Sequence, residues 1–411
     1  MNKFVKDQIR ILKPSATLAI NEESNRLKKE GKKIYKFGFG QSPFPIPENI
    51  VLELKKNASK NKYLPMDGLE ELRKAITNHL NKYNNNSFKS DNIIIGPGSK
   101  ELMLLTNIAF NGDILLPAPS WVSYQPQALI AQNKVHWIQT SSKSNWFPTA
   151  EQIENKIKNI KNKNILLFLN SPNNPSGTVC KNLEELAKVA KKHKLVILSD
   201  EIYSNLTFES NYKSISNFYP EGTIVSSGLS KWCGAGGWRL GFFAIPKELN
   251  ELKNTLKVLC SESFTSVSAP IQYAAIEAFT GDYSEYLEKV KKILFSVGMY
   301  AYKNLKSNNI NISKPEGGFY LFPEFTNAKF LSSSEMCKEI LSKTGVALLP
   351  GSDFGIDSKK MIARLSYTDF DGDKFLKNTS GSKNLDTADL MKYAPNIVEG
   401  VSKLKGWSNS L

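Results

Sequence analysis

Histidine is close to absent: only His79, His136 and His193 occur in 411 residues. None falls within the strand-end and signature blocks that carry the candidate site residues below, so hydrolysis built on an imidazole base has little support. Cysteine is also scarce. Cys180, Cys233, Cys260 and Cys337 are scattered without CxxC spacing, which argues against a disulfide frame or a thiolate metal site and suggests free thiols in a reducing cytoplasm. No apolar run reaches bilayer length. The opening MNKFVKDQIRILKPSATLAI holds no continuous apolar core between its charges, so neither a membrane span nor a secretory signal is expected. Acidic residues are outnumbered, 39 against 54 Lys and Arg, giving a formal charge of +15. The lysines are spread over segments such as LEELAKVAKKHKL, and no long basic tail occurs. That distribution fits a soluble surface that steers anionic substrates, and a nucleic-acid partner is not expected.

What is present is a regular alternation. From Asn92 onward short apolar runs and helical patterns follow one another: NIIIG, SKELMLLTNIAF, DILLP, VHWIQT, NILLFLN, NLEELAKVAKKH and LVILSDE. This is the pattern of βα units around a mainly parallel sheet with strands buried on both faces. Ligands of such sheets sit at the carboxyl ends of the strands, so the residues after each run carry the chemical interest. PGSKEL places Ser99 and Lys100 at a helix start, where free amides can receive a phosphate or Ser99 can cap the helix. APSWVSY presents Trp121 past a strand end, for core packing or for stacking on a flat ring. NSPNNPSG, with Asn174, consists of turn formers. SDEIYSNLTF puts Asp200 where a strand leaves the apolar interior, as a helix cap or as an acid facing a ligand.

The chain is organised around SSGLSKWCGAGGWRLGFFAIP, residues 226–246. Lys231 follows a run that reads as a buried strand, Thr223 to Leu229. Apolar surroundings disfavour the ammonium form, so part of the population is a free amine able to form a Schiff base with a carbonyl. Arg239, eight residues on, supplies a planar fork suited to a phosphate. Pyridoxal 5′-phosphate (PLP) carries both groups.

SKWCGAGGWRLG resembles the SKxxxMxGWRxG signature of the class I/II aminotransferases, fold type I PLP enzymes of the aspartate and aromatic aminotransferase kind. The resemblance recurs in further blocks in the same order and covers nearly the whole chain. It implies an α/β fold with a seven-stranded, mainly parallel sheet in a large PLP-binding domain, residues 46–285. An N-terminal arm and part of the small domain would take residues 1–45, and a smaller α+β domain residues 286–411. The cofactor, PLP, would be bonded to the catalytic Lys231. Ser99, Lys100 and Arg239 would meet its phosphate, and Trp121 of the PxWVxY-like block would stack on its ring. Asn174 of the NPxNPTG-like loop and Tyr203 would hydrogen-bond its phenolic oxygen, and Asp200 would pair with its ring nitrogen. Tyr63 would reach the neighbouring subunit's phosphate, which implies a homodimer with shared sites. Gly40 and Arg364, the latter in an IRLS-like block, would hold the substrate's α-carboxylate, with Asn174 and Trp121 beside it. In one branch of the family the lysine matching Lys100 also meets a distal carboxylate. Aspartate, glutamate and aromatic donors all remain open. The sequence departs from the family at Gln41 and Ser42, where Glu and Pro are usual, and at Gly228, where many relatives carry a phosphate-binding Ser; either Ser226, Ser227 or Ser230 compensates or one phosphate donor is missing.

Beyond Pro246, KELNELKNTLKVLC and YSEYLEKVKKILFSVGMYAYKNLK predict a helix pair and a long connecting helix. MIARLSY places Arg364 within an apolar strand, where its charge requires a carboxylate from a substrate or an internal acid. TDFDGDKFLKNTSGSKNLDTADLMKYAP reads as an insertion with an exposed polar loop. Its Asp369, Asp371 and Asp373 lack the spacing and terminal Glu of a calcium loop and read as turn residues. The expected reaction is amino transfer between an L-amino acid and a 2-oxo acid in a ping-pong cycle; C–S lyases and decarboxylases share the same fold.

Overall fold

The apolar runs between Asn92 and Pro246 form seven strands in a computed structural model that describes residues 4–12, 16–83, 87–209, 212–379 and 385–411. They are β1 (Ile93–Gly96), β2 (Asp113–Ala118), β3 (Val135–Gln139), β4 (Ile165–Asn170), β5 (Val196–Asp200), β6 (Thr223–Gly228) and β7 (Gly241–Ala244). Their order across the sheet is β1-β7-β6-β5-β4-β2-β3. Every neighbouring pair is parallel except the two made by β7, which runs against β1 and β6. Each residue of β1 and β4 is buried, because helices cover both faces and leave no side for water. The register sets Asn170, Asp200 and Ser226 side by side at the carboxyl ends of β4, β5 and β6.

The helices follow from their periodicity. In Leu183–Lys192 the apolar positions Leu183, Leu186, Ala187 and Ala190 are buried while the lysines stay on the water face. Leu72, Ile76 and Leu80 are buried along Glu70–Tyr83 as their spacing predicts. The helix Ala16–Lys29 ends just ahead of Gly31; Pro14 and Ser15, which the sequence offers as a helix start, lie outside the described residues. After β7 come Asn250–Ser263, Ala269–Thr280 and the long Ser284–Leu305.

The remaining chain adds short strands, β8 (Ile310–Asn311), β9 (Tyr320–Leu321), β10 (Glu324–Phe325), β11 (Leu349–Pro350) and β12 (Ala363–Ser366), in two small sheets that are wholly antiparallel. One apolar cluster joins Ile95, Val225 and Leu240 to Val290, Leu294, Leu365 and Trp407, so the large sheet and the C-terminal elements share a core.

The segment after Tyr367 is helical on both sides of its polar middle, where the exposed loop is expected. It forms two short helices, Gly372–Asn378 and Thr387–Tyr393, with Phe375 and Leu390 buried; residues 380–384 lie outside the described ones. The acids there have local partners: Asp369 accepts from the Lys36 amide at 2.8 Å, Asp371 caps a helix through the Lys374 amide at 3.0 Å, and Asp373 pairs with Lys377 at 2.7 Å. Among the described residues no His, Cys, Asp or Glu cluster can hold a metal ion, and no helix is long and apolar enough to cross a membrane. All four cysteines are free and buried.

Candidate active site

A cavity of about 560 Å³ opens where the sheet strands end, and residues following β1, β2, β4, β5 and β6 line it. Lys231, just past β6, points its amine into this space and donates to the Gly40 carbonyl at 2.6 Å. The rings of Tyr203 and Phe319 each lie 5.7 Å from Nζ. The side chain is half-buried by surface exposure, yet protein surrounds the amine closely. Desolvation first and the Arg364 charge second lower its pKa to about 8, against an upward pull from Asp200. A lysine in this state supplies free amine close to neutral pH.

Asp200 ends β5 on the neighbouring strand. It is buried, and Tyr124 donates to its Oδ2 at 2.6 Å. Desolvation raises its pKa to about 6, opposed by the Tyr124 bond, the Ile202 amide and the Lys231 charge. Asn170 holds the adjoining loop: its Nδ2 donates to the Asp200 carbonyl at 2.8 Å, and its Oδ1 accepts from the Asn174 amide at 2.7 Å. Asn173 also serves the turn, accepting from the Ser176 amide and hydroxyl.

Asn174 does something different. Its Oδ1 accepts from Arg364 Nη1 at 3.0 Å. A guanidinium only donates, so the amide oxygen must face it, and Asn174 Nδ2 is left as a donor. Arg364 is 2% exposed; Nη2 donates to the Gly38 carbonyl at 2.7 Å, and Nε has no partner. The ring centroids of Tyr320 and Phe354 lie 4.7 and 5.2 Å from its Cζ. Its hydrogen bonds run to neutral oxygens, leaving three of a guanidinium's five N–H groups for a carboxylate.

At the end of β1 the helix Ser99–Ala109 begins with Gly98, not Ser99, in the capping position and without a side-chain cap, so its first amides are open to an anion. Arg239 stands over this helix start, donating to the carbonyls of Gly236 at 2.9 Å and Pro97 at 3.3 Å. Lys100 is exposed at the cavity rim, its Nζ 5.6 Å from the Trp121 ring. Desolvation and the Arg239 charge depress its pKa. Strands β1 and β5 are three spacings apart in the sheet, roughly 14 Å, which separates this cationic end from Asp200.

The sequence candidates Gly40, Ser99, Lys100, Trp121, Asn174, Asp200, Tyr203, Lys231, Arg239 and Arg364 therefore all line one cavity. Tyr63 does not join them; it is 88% exposed on the surface. Gly228 has a steric cause, because a Cβ there would lie 2.7 Å from the Leu240 carbonyl and 2.8 Å from Gly241 Cα. Of the serines near it, Ser226 is buried without a partner and Ser227 leans on the Glu201 carbonyl, whereas Ser230 lines the cavity. Two residues escaped sequence reasoning. Tyr124 closes the APSWVSY block, a visible signal, but Tyr320 sits in GGFYLF and looks like any core aromatic.

A reactive amine, a buried acid, an aromatic face and an anion-binding helix start in one cavity are the donor set that an aromatic aldehyde bearing a phosphate requires. The residues present fit PLP. The Arg364 fork adds a seat for a carboxylate.

A family model described as "Aminotransferase class I and II" matches residues 32–374. An aspartate aminotransferase from Bacillus sp. (strain YM-2) is 33% identical over 383 residues, covering 89% of this chain and 95% of that protein. An asparagine-oxo-acid transaminase from Streptococcus mutans is 30% identical over 373 residues, 87% of this chain and 92% of its own length. The crystal structure of Thermus thermophilus aspartate aminotransferase with maleate superposes with a TM-score of 0.85 at 26% identity, covering 98% of this chain and all of that one.

Proposed function

Because the chain belongs to the class I and II aminotransferases, we propose that its own residues divide the work of amino transfer as follows. When bound, PLP supplies an aldehyde that takes up the amino group and a ring that withdraws electrons from the substrate's Cα. Lys231 holds the cofactor and, as free amine, takes the proton from Cα, a role suited to a pKa of about 8. Asp200 faces the ring nitrogen, with Tyr124 fixing its carboxylate. Asn174 Nδ2 and Tyr203 donate to the phenolic oxygen, Trp121 covers the ring, and Ser99, Lys100, Arg239 and Ser230 hold the phosphate. Arg364 grips the α-carboxylate beside the Gly40 segment.

The substrates are amino acids and 2-oxo acids, and we assign a preference for dicarboxylic ones. Lys100 puts a cation at the rim, the net charge draws acidic substrates in, and the relatives named above include an aspartate aminotransferase. Lys100→Ala is expected to lower kcat/KM for aspartate relative to a neutral donor by about tenfold, the scale of one charge-assisted hydrogen bond. An unchanged ratio removes the dicarboxylate assignment.

The proposal includes a cytoplasmic homodimer in which Tyr63 serves the partner's phosphate. Residues 46–285 would form the cofactor domain, with residues 1–45 and 286–411 closing over the substrate.

One observation carries the reading: Lys231 and Asp200, at the ends of adjacent strands, share a cavity with both Arg239 and Arg364. The test is borohydride reduction of the PLP-loaded protein, followed by digestion and mass measurement. The pyridoxyl mass is expected on the Lys231 peptide, and a label elsewhere, or none, overturns the assignment.

A further inference from the structure

Tyr320 touches three parts of the site at once. Its ring lies 4.7 Å from Arg364 Cζ, and its hydroxyl is 2.9 Å from the Tyr203 hydroxyl. The two phenol rings meet edge to face, with centroids 5.7 Å apart and an interplanar angle of 82°. A Cβ at Gly40 would sit only 2.2 Å from Tyr320 Oη, so the third neighbour is the backbone that accepts from Lys231 at Gly40 and from Arg364 at Gly38. Tyr320 is 1% exposed, and its backbone is anchored by pairing with Ser366, two residues past Arg364 on β12.

From this arrangement we propose that Tyr320 is a positioning residue that couples the carboxylate-binding Arg364 to the cofactor-facing Tyr203. The inference rests on the function proposed above. It has two separable parts, one for the ring and one for the hydroxyl.

The ring acts on Arg364. Hydrogen bonds to Asn174 and Gly38 fix two of its nitrogens, but Nε has no partner. An aromatic face beside the guanidinium favours the charge and restrains the plane in which its remaining N–H groups point.

The hydroxyl acts on Tyr203. Burial, reinforced by the neighbouring phenol, pushes the Tyr203 pKa well above its ordinary value, and burial raises that of Tyr320 as well. Two neutral phenols 2.9 Å apart share one proton in their mutual bond. When Tyr320 donates, the Tyr203 proton is free to point into the cavity, at the phenolic oxygen of the cofactor. In that arrangement the bond from Tyr320 polarises the Tyr203 hydroxyl and strengthens its donation.

Tyr320→Phe keeps the ring and removes the hydroxyl; Tyr320→Leu removes both. The readouts are the pH midpoint of the visible absorbance of the PLP-loaded protein, and the dissociation constant of maleate, a dicarboxylate with no amino group to transfer. A hydrogen bond to the phenolic oxygen favours the deprotonated form of the chromophore. Tyr320→Phe leaves Tyr203 in place but removes the donation that polarises its hydroxyl, so this bond weakens and the midpoint is expected to rise by about half a pH unit, with maleate binding within about twofold of wild type. Tyr320→Leu is expected to raise the midpoint similarly and to weaken maleate binding by about threefold to tenfold, the loss of one aromatic-guanidinium contact. A Tyr320→Phe midpoint equal to wild type overturns the coupling, and so does a Leu variant that binds maleate as wild type does. Where the Leu variant does not fold, the Phe midpoint decides alone. A wild-type protein without any pH-dependent visible band overturns the cofactor reading itself and takes this inference with it.

Discussion

Glu201 stands one residue beyond Asp200 and meets entirely different surroundings. Successive side chains of a strand leave on opposite faces, so Asp200 enters the cavity while Ser199 and Glu201 share the other side. There Glu201 Oε1 accepts from the hydroxyls of Ser199, at 2.8 Å, and Ser214. Burial nevertheless dominates, and the carboxyl is raised to about 7. A carboxyl raised in the folded state adds stability below its unfolded pKa of about 4.5 and loses it as pH climbs through about 7. Glu201→Gln keeps an oxygen for both hydroxyls and carries no charge. Relative to wild type the variant should therefore gain stability as pH rises from 4.5 to 7.5, by on the order of 1–3 kcal/mol. Denaturation midpoints of both proteins across that range are the check, and a pH-independent difference removes the buried-charge account. Sequence reading singled out Asp200, since an acid ending an apolar run is conspicuous. It passed over Glu201, because two adjacent acids look alike until the pleat separates them. Tyr320 was illegible for a related reason: its value lies in neighbours distant in sequence, such as Tyr203, 117 residues away, and nothing local marks it.

The loops at the strand ends depend on close backbone contacts that side chains would block. Gly177 ends the asparagine loop with φ near 70°, and a Cβ there would lie 2.1 Å from the Tyr320 carbonyl. Its own carbonyl accepts from the amides of Glu316 and Gly317 at 2.8 and 3.1 Å. This crossing fastens the loop bearing Asn174 to the strand bearing Tyr320. Gly177→Ala is expected to destabilise the protein by about 1–3 kcal/mol and to loosen PLP, whereas Gly406→Ala is expected to be neutral or mildly stabilising. Gly406 lies within Pro395–Asn409, where an added Cβ meets nothing. Thermal midpoints and PLP dissociation rates compare the two, and equal effects remove the crossing as the cause. The main elements were legible because the apolar runs of the large sheet are buried along most of their length and each long helix repeats its apolar face. The insertion after Tyr367 was not. Its two helices are seven residues each, too short for a period to emerge, and begin with aspartates that read equally well as turn residues.

At the scale of the whole molecule the site draws on residues from Gly40 to Arg364, and only the shared core brings these ends of the chain together. Spacing along the sequence named the participants, through strand ends and family-like blocks, without giving a single distance between them. Tyr63 is the candidate that one chain does not bring to the cavity. It is 88% exposed, an unusual position for a large aromatic residue, and in the proposed homodimer it completes the partner's phosphate site. That arrangement makes a prediction no monomer can satisfy. Tyr63→Ala is expected to weaken PLP retention by about tenfold, the worth of roughly one hydrogen bond to a charged group, and Lys231→Ala to lower turnover by about 10²–10⁴-fold or more. Subunits of the two variants, mixed and allowed to exchange, form hybrid dimers in which the Tyr63→Ala subunit keeps Lys231 and receives an intact Tyr63 from its partner. At limiting PLP the mixture should exceed the summed activities of the separate variants. A mixture that gives only that sum, with subunit exchange verified by mass, places Tyr63 outside the active site of either subunit.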